Sequence, residues 1–394
     1  MGLKQLTMAA FAACLASMAA AFPAAAQAPI KIGVLHPFTG PLALIGREST
    51  DGFTLYFEQI GNKVAGRPVT LLKEDDAANP SQGLERTRRL VEREQIHLLS
   101  GITSSAVAYA LRTYVDQRQV PLVIMGSAGA NDLTDKQASP YIFRTSFSNR
   151  QLGAPIGQYA CGKLGLKKIV VMASDFVTGY EQSAAFGEQY GKAGCTVVKS
   201  IMVPLGTSDF TPFLSQVASL GADGVWAMFF AADAIAFVKQ YDALGLKAKL
   251  PLIGPSGLID PALLNAMGAS AVGAMGPIYY TDSLDFPENK AFVQAFKARY
   301  GREPGATAAS GYIAAMAIAK AIEAINGKVE DKPALLAALR QVQLKTPMGA
   351  FQFDAKQNVV LDFYLGKVAA GGSGYTLQVV EPLEKAVDQY GVAR

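Results

Sequence analysis

The sequence is poor in the residues that most chemistry needs. It has two histidines (His36 and His97), three cysteines and one tryptophan. The histidines stand far apart and open no pair with metal-ligand spacing, so no metal site is expected. There is no G-x-x-x-x-G-K-[ST], no H-E-x-x-H, no C-x-x-C and no G-x-S-x-G, which removes the common phosphate, zinc-protease, redox and hydrolase signatures. No cofactor is expected. Charge is also scarce, at 17% of residues, and nearly balanced, with 36 Lys and Arg against 32 Asp and Glu. Without a basic stripe or run, nucleic-acid binding is not expected. Beyond the N-terminus no apolar stretch reaches the length that spans a bilayer.

What is present begins with the N-terminus. Met1 to Ala26 holds a single charge, Lys4, then the apolar run MAAFAACLASMAAAF and a Pro-Ala-Ala-Ala close. A short basic start, an apolar core and a small-residue site make a secretory signal peptide over 1–26. Cys14 lies inside the apolar core, which argues against a lipoprotein. The exported chain would keep Cys161 and Cys195. In an oxidising compartment two cysteines are expected to pair, the alternative being two separate buried thiols.

Along the mature chain, short β-branched runs alternate with helical periodicity. IKIGVL (30–35), PVTLLK (68–73), HLLSG (97–101) and LVIMG (122–126) read as strands, separated by helices over 47–60, from Pro80 to about Arg93, and 106–119. After YIFR (141–144) a polar connector intervenes, and the alternation restarts. Helices are expected over 152–164, 180–192, 209–220 and 232–244, and strands at 167–174, 195–203, 224–230 and 251–255. The last third offers helices at 287–300, 307–325 and 332–339, then an extended segment (348–358) and a hairpin around Gly371-Gly372-Ser373-Gly374. The fold class is α/β: two Rossmann-like lobes with parallel sheets joined by hinge connectors. The first lobe is assigned 27–146 plus 283–346, the second 147–282 plus 347–394, with hinges near 145–149, 281–285 and 345–348.

Two small polar clusters follow strands of the first lobe, Ser104-Ser105 and Ser127-Ala128-Gly129. In such sheets ligands sit beyond the carboxyl ends of the strands, where free N–H groups favour an anion. Ser105, Ser127 and the N–H of Gly129 are therefore candidates for half of a carboxylate site. The alternative is that both serines cap helices. His36 lies near the same edge, although a lone histidine is more often structural.

Several segments, in this order, carry a resemblance: IKIGVLHPFTGPLALIG, EDDAANP, GITSSA, MGSAGANDLT, SDFVTGYEQ, LIGPSG and FDAKQN followed by a hairpin. Over nearly all of the mature chain the sequence resembles the periplasmic solute-binding proteins of ABC transporters, in the Leu/Ile/Val-binding branch with the type I periplasmic binding fold. The resemblance implies a small-molecule ligand between two closing lobes, a periplasmic location, an inner-membrane ABC permease as partner, a monomer, and no enzymatic activity. Its ligand carboxylate would be held at Ser105, Ser127 and Gly129, with Ser104 and Ala128 beside them. The family's ammonium-binding Thr and Glu positions fall on Gly129 and Ser256, neither of which carries a charge. Its aromatic contacts fall on Ile45, Thr178 and Phe230, with Phe229, Phe176 and Tyr180 close by and Tyr279-Tyr280 as further candidates. A carboxylate without an α-ammonium group, best an aromatic acid such as a benzoate or hydroxycinnamate type, is the expected ligand. Branched-chain amino acids, aliphatic acids and amides or urea are the alternatives, as is an exported ligand sensor. A hydrolase using Ser105 or Ser127 lacks a base beside either residue.

Overall fold

The computed structural model describes residues 28–372 and 374–383. The expected signal peptide, Cys14 and the hairpin residue Ser373 lie outside the described residues. The chain opens with β1 (Ile30–His36), α1 (Ala43–Gln59), a short β2 (Lys63–Val64), β3 (Arg67–Asp75), α2 (Pro80–Arg88), β4 (Leu98–Gly101), α3 (Ser105–Arg118), β5 (Leu122–Ile124) and β6 (Ile142–Arg144). Its six strands form one sheet in the order β2-β3-β1-β4-β5-β6. All neighbours are parallel except β2, which is antiparallel to β3. β4 and β5 are buried throughout, which is why they read as unbroken apolar runs rather than alternating ones.

The second half repeats the device. It runs α4 (Asn149–Gly153), α5 (Pro155–Gly162), β7 (Lys168–Ser174), α6 (Val177–Lys192), β8 (Thr196–Val203), α7 (Thr211–Leu214), β9 (Gly224–Met228), α8 (Ala231–Ala243), β10 (Leu252–Ile253), α9 (Pro261–Met267) and β11 (Met275–Ile278). The final third contributes α10 (Pro287–Tyr300), α11 (Ala306–Ala324), α12 (Lys332–Arg340), the small pair β12 (Gln343–Thr346) and β13 (Gly349–Gln352), then β14 (Tyr364–Gly371) and β15 (Gly374–Pro382). The second sheet has seven strands in the order β15-β14-β11-β10-β9-β7-β8, and β14 and β15 form an antiparallel edge on a parallel body. Cys161 and Cys195 are joined by a disulfide, tying the end of α5 to the entry of β8. Closing a loop of 34 residues stabilises the fold by about 3–4 kcal/mol on the chain-entropy account.

Three sequence expectations need correction. The helix expected over 209–220 is only the short α7 and one 3-10 turn, Val217–Ser219. Polar side chains compete for the backbone there: Ser215 Oγ and Gln216 Nε2 donate to the Pro212 carbonyl, and Ser219 Oγ to that of Gln216. The helix expected over 152–164 starts earlier, at a capping box of Ser148 and Gln151, and is interrupted before Pro155, which has no N–H to give. The return to the second lobe was expected at 347, yet residues 348–363 pack with the first. The Phe353 ring sits 5.3 Å from that of Phe143, and the Val359 N–H donates to the Arg144 carbonyl at 2.9 Å. The chain therefore passes between lobes after β6, after β11, and between β13 and β14, not near 345–348.

Helix α11 is Ala-rich and buried along most of its length, and it lies against α1. A Cβ on Gly52 would fall 1.9 Å from the Ala308 carbonyl oxygen, and one on Gly311 would fall 2.0 Å from that of Ser49. Only glycine at both positions lets the two backbones approach this closely. The contact sets the first turn of α11 beside Glu48 of α1, and that placement shapes the site.

Candidate functional site

In both sheets the chain reverses its direction of winding beside the first strand, between β1 and β4 in one lobe and between β7 and β9 in the other. Crevices of this kind receive ligands beyond the strands' carboxyl ends. The two crevices face each other across the seam between the lobes. The loops that follow β5, β9, β10 and β11, with the start of α1, surround a small cavity. Its apolar wall is built by Leu44, Ile45, Phe147, Leu152, Phe230 and Leu263, and its polar wall by Glu48, Ser127, Ser256, Asp260, Tyr279 and Thr307.

Four of the ten candidate ligand residues read from the sequence line this cavity: Ile45, Ser127, Phe230 and Ser256. Ser127 is 6% exposed, and its hydroxyl has no protein hydrogen-bond partner among the described residues. It precedes no α-helix directly, so capping does not explain it. Phe230 faces the cavity, with the Phe176 ring edge-on at 6.4 Å. Tyr279, a weaker candidate, also lines it, and burial pushes its phenol up.

The other candidates are elsewhere. Ser105 is fully buried and hydrogen-bonds Thr178 across the seam at 3.2 Å, so the two hydroxyls are engaged with each other. Ser104 stands at the N-cap of α3 without a side-chain capping bond. Gly129 does not offer the expected free N–H: it donates to the Ser127 carbonyl at 2.7 Å, and a Cβ there would strike Asn149. Ala128 is buried in the first lobe's core. Phe229 turns into the second lobe's core, its ring 5.0 Å from Phe210 and 4.7 Å from Phe237. Tyr180 is exposed and donates to Asp175, and Tyr280 is buried against Phe292. His36 is buried and bonded through Nδ1 to Thr103; desolvation lowers it to about 3, so it is neutral.

The sequence reading missed two carboxylates in the cavity wall. Glu48 accepts from Arg302 at 2.8 Å, from the N–H of Gly305 at 3.1 Å and from Thr307 Oγ1 at 2.9 Å. Asp260 caps α9 through the N–H of Ala262 at 2.9 Å and reaches across to the N–H of Ala306 at 3.1 Å. Both carboxylates thus converge on the start of α11, where unpaired N–H groups attract negative charge. A Cβ on Gly305 would lie 2.3 Å from an Asp260 oxygen and 2.8 Å from a Glu48 oxygen, so the two groups are close neighbours. Burial raises both, and the nearby Glu48 helps push Asp260 up to about 7. The expectation of a cavity without acidic side chains is therefore overturned. Elsewhere on the seam, Glu181 of α6 accepts from the N–H of Asn131 at 3.0 Å, Asn149 Nδ2 at 2.8 Å and Tyr109 at 3.3 Å.

Comparison with known proteins agrees with this architecture. Residues 29–373 match the family described as periplasmic binding protein. The Leu/Ile/Val-binding protein homolog 6 of Brucella suis biovar 1 is 32% identical over 367 residues, covering 91% of this chain and 93% of that protein. An ABC transporter substrate-binding protein from Sphaerobacter thermophilus is 40% identical with a TM-score of 0.85, over 90% of this chain and 97% of that one. The solute-binding protein of an ABC transporter from R. palustris, in complex with benzoate, is 31% identical with a TM-score of 0.87, over 92% and 98% of the two chains.

Proposed function

Because the chain belongs to the periplasmic binding protein family, and is an ABC-transporter substrate-binding protein rather than an enzyme, we propose that its cargo is a small aromatic carboxylate. The ligand is delivered to an inner-membrane permease, and the mechanism is closure of two lobes about the three interlobe passages. A ligand that touches both lobes favours the closed arrangement by its differential contacts with it. The observation that carries the reading is the pairing of an aromatic-lined wall with Ser127, a residue only 6% exposed that lines the same cavity. A flat ring covers the faces of Phe230, Phe147 and Leu152, and its carboxylate takes the Ser127 hydroxyl. The benzoate complex of a relative matched over 92% of this chain and 98% of its own supports the same class.

A second reading has one specific observation in its favour. The Glu48–Asp260 pair offers negative charge to the ammonium of a branched-chain amino acid, and the Brucella relative is a Leu/Ile/Val-binding protein homolog. One experiment separates the two. Calorimetric titration with benzoate, 4-hydroxybenzoate, leucine and isovalerate is expected to give micromolar or tighter binding only for the aromatic acids. Tight leucine binding with no aromatic binding refutes the proposal.

A further inference from the structure

Phe229 and Phe230 are neighbours in sequence, yet one ring fills the second lobe's core and the other faces the cavity. The backbone turns at Ala231, whose φ of +47° lies in the left-handed region that alanine rarely adopts. Such conformations persist only where the surroundings fix them, and they gather at ligand sites. On the facing loop, the feature that fixes the Phe230 ring is a missing side chain. Gly257, after β10, also lines the cavity. A Cβ placed on it would lie 2.3 Å from Cδ1 and 2.4 Å from Cε1 of the Phe230 ring. Carbon atoms in good contact stand roughly 3.5–4.0 Å apart, so the ring occupies the space a side chain would need. The next nearest atom, the Phe229 carbonyl oxygen, is at an ordinary 3.6 Å. The Gly257 backbone is outside the left-handed region, so no turn demands glycine there. Nearby Gly254 differs, since a Cβ there would strike the Ala227 carbonyl oxygen at 2.2 Å. At Gly257 the obstacle is a ring that can rotate. Phe230 otherwise belongs to the apolar cluster that includes Ile45, Met228 and Ala231, and the open space beside it is the cavity.

We propose that Gly257 is a positioning residue for Phe230 and through it sets the width of the cavity, so that the missing side chain at 257 is what admits a ring-bearing ligand. This rests on the aromatic-carboxylate reading above and deepens it. With glycine at 257 the Phe230 ring rests against the loop and leaves the space in front of it open. A methyl group at 257 pushes the ring into that space. Overfilling a packed site forces side chains off their preferred rotamers, and the ligand that needs the most width loses the most. A narrow branched acid needs less of that width, so its binding changes less.

The test is a double-mutant cycle read by calorimetry with benzoate and isovalerate, on the wild type, Gly257→Ala, Phe230→Ala and the double variant. Gly257→Ala is expected to weaken benzoate about 10-fold or more, the scale of one methyl group in an apolar pocket, and to leave isovalerate nearly unchanged. In the Phe230→Ala background, where no ring stands in the way, the same substitution is expected to change benzoate affinity less than about twofold, since coupled residues are non-additive. If Gly257→Ala does not fold alone but folds with Phe230→Ala, the ring is the obstacle and the proposal stands; failure to fold in both backgrounds overturns it. Benzoate bound equally by the wild type and Gly257→Ala, the same loss in both backgrounds, or an equal loss for isovalerate overturns the proposal and leaves the aromatic reading intact. Leucine binding to the wild type without benzoate binding overturns both.

Discussion

The lobes meet in two different ways along one seam. Beside α6 the contact is direct: Ser105 meets Thr178, and Glu181 collects donors from Asn131, Asn149 and Tyr109. Beside the start of α1 a cavity lies between the lobes, lined by Ser127, Glu48 and Asp260. The first region shows what the protein contributes to closure by itself. The second shows what it leaves for the ligand to contribute. Each direct contact is exchanged for water when the lobes part and nets only about 1 kcal/mol, so the region beside α6 sets how easily the lobes close but not which ligand closes them.

Substitutions on the two sides should therefore behave differently. The largest effect is expected from the adjacent phenylalanines. Phe229→Ala should cost about 3–5 kcal/mol of stability, as a core cavity does, while Phe230→Ala should mainly cost about 2–3 kcal/mol of binding to an aromatic acid. Denaturant melts alongside calorimetry would show the split, and equal profiles for the two variants would collapse it. Next, Ser127→Ala is expected to weaken carboxylate binding by about 2 kcal/mol, against about 1 kcal/mol for Ser105→Ala, whose partner is Thr178. Unchanged affinity in the former removes Ser127 from the site. Glu181→Gln should weaken every ligand alike, by roughly 1 kcal/mol; a change in ligand preference would erase the distinction between the regions.

The smallest expected effect is a pH dependence. Burial raises Glu48, and burial together with Glu48 raises Asp260 to about 7. A raised carboxylate binds its proton more tightly in the folded chain than in the unfolded one. Its contribution is full below the ordinary carboxylate range and is lost as pH rises through the folded value. The Tm of the wild type should therefore fall between pH 5 and 8 by more than that of Asp260→Asn. Parallel curves would show that the pair does not titrate there.

Much of the frame was legible because buried parallel strands such as Leu98–Gly101 and Leu122–Ile124 leave compact apolar runs that end in small residues. Ser127 was legible for the same reason, as a hydroxyl just past a strand end. Phe229 and Phe230 could not be told apart, since both lie beyond the end of β9 at Met228, where strand alternation no longer assigns faces. Asp260 was visible as an Asp-Pro helix start, and that local role is real. Its second role depends on α11, which is 46 residues further along the chain. Glu48 did leave a signal: it shares a helical face with Leu44 and Ile45, where an acid has no reason to be unless it meets a partner. Gly129 misled because its N–H goes to the Ser127 carbonyl, a turn that adjacency alone does not reveal.

The glycine contact between α1 and α11 reaches beyond packing. Gly52 and Gly311 lie outside the cavity wall, yet they fix how far Thr307 stands from Glu48. A single methyl group at either position would wedge the helices apart and carry one wall of the cavity with them. Cargo size in this protein is thus adjustable from sites the cargo never meets, and a search confined to contacting residues would overlook the dial.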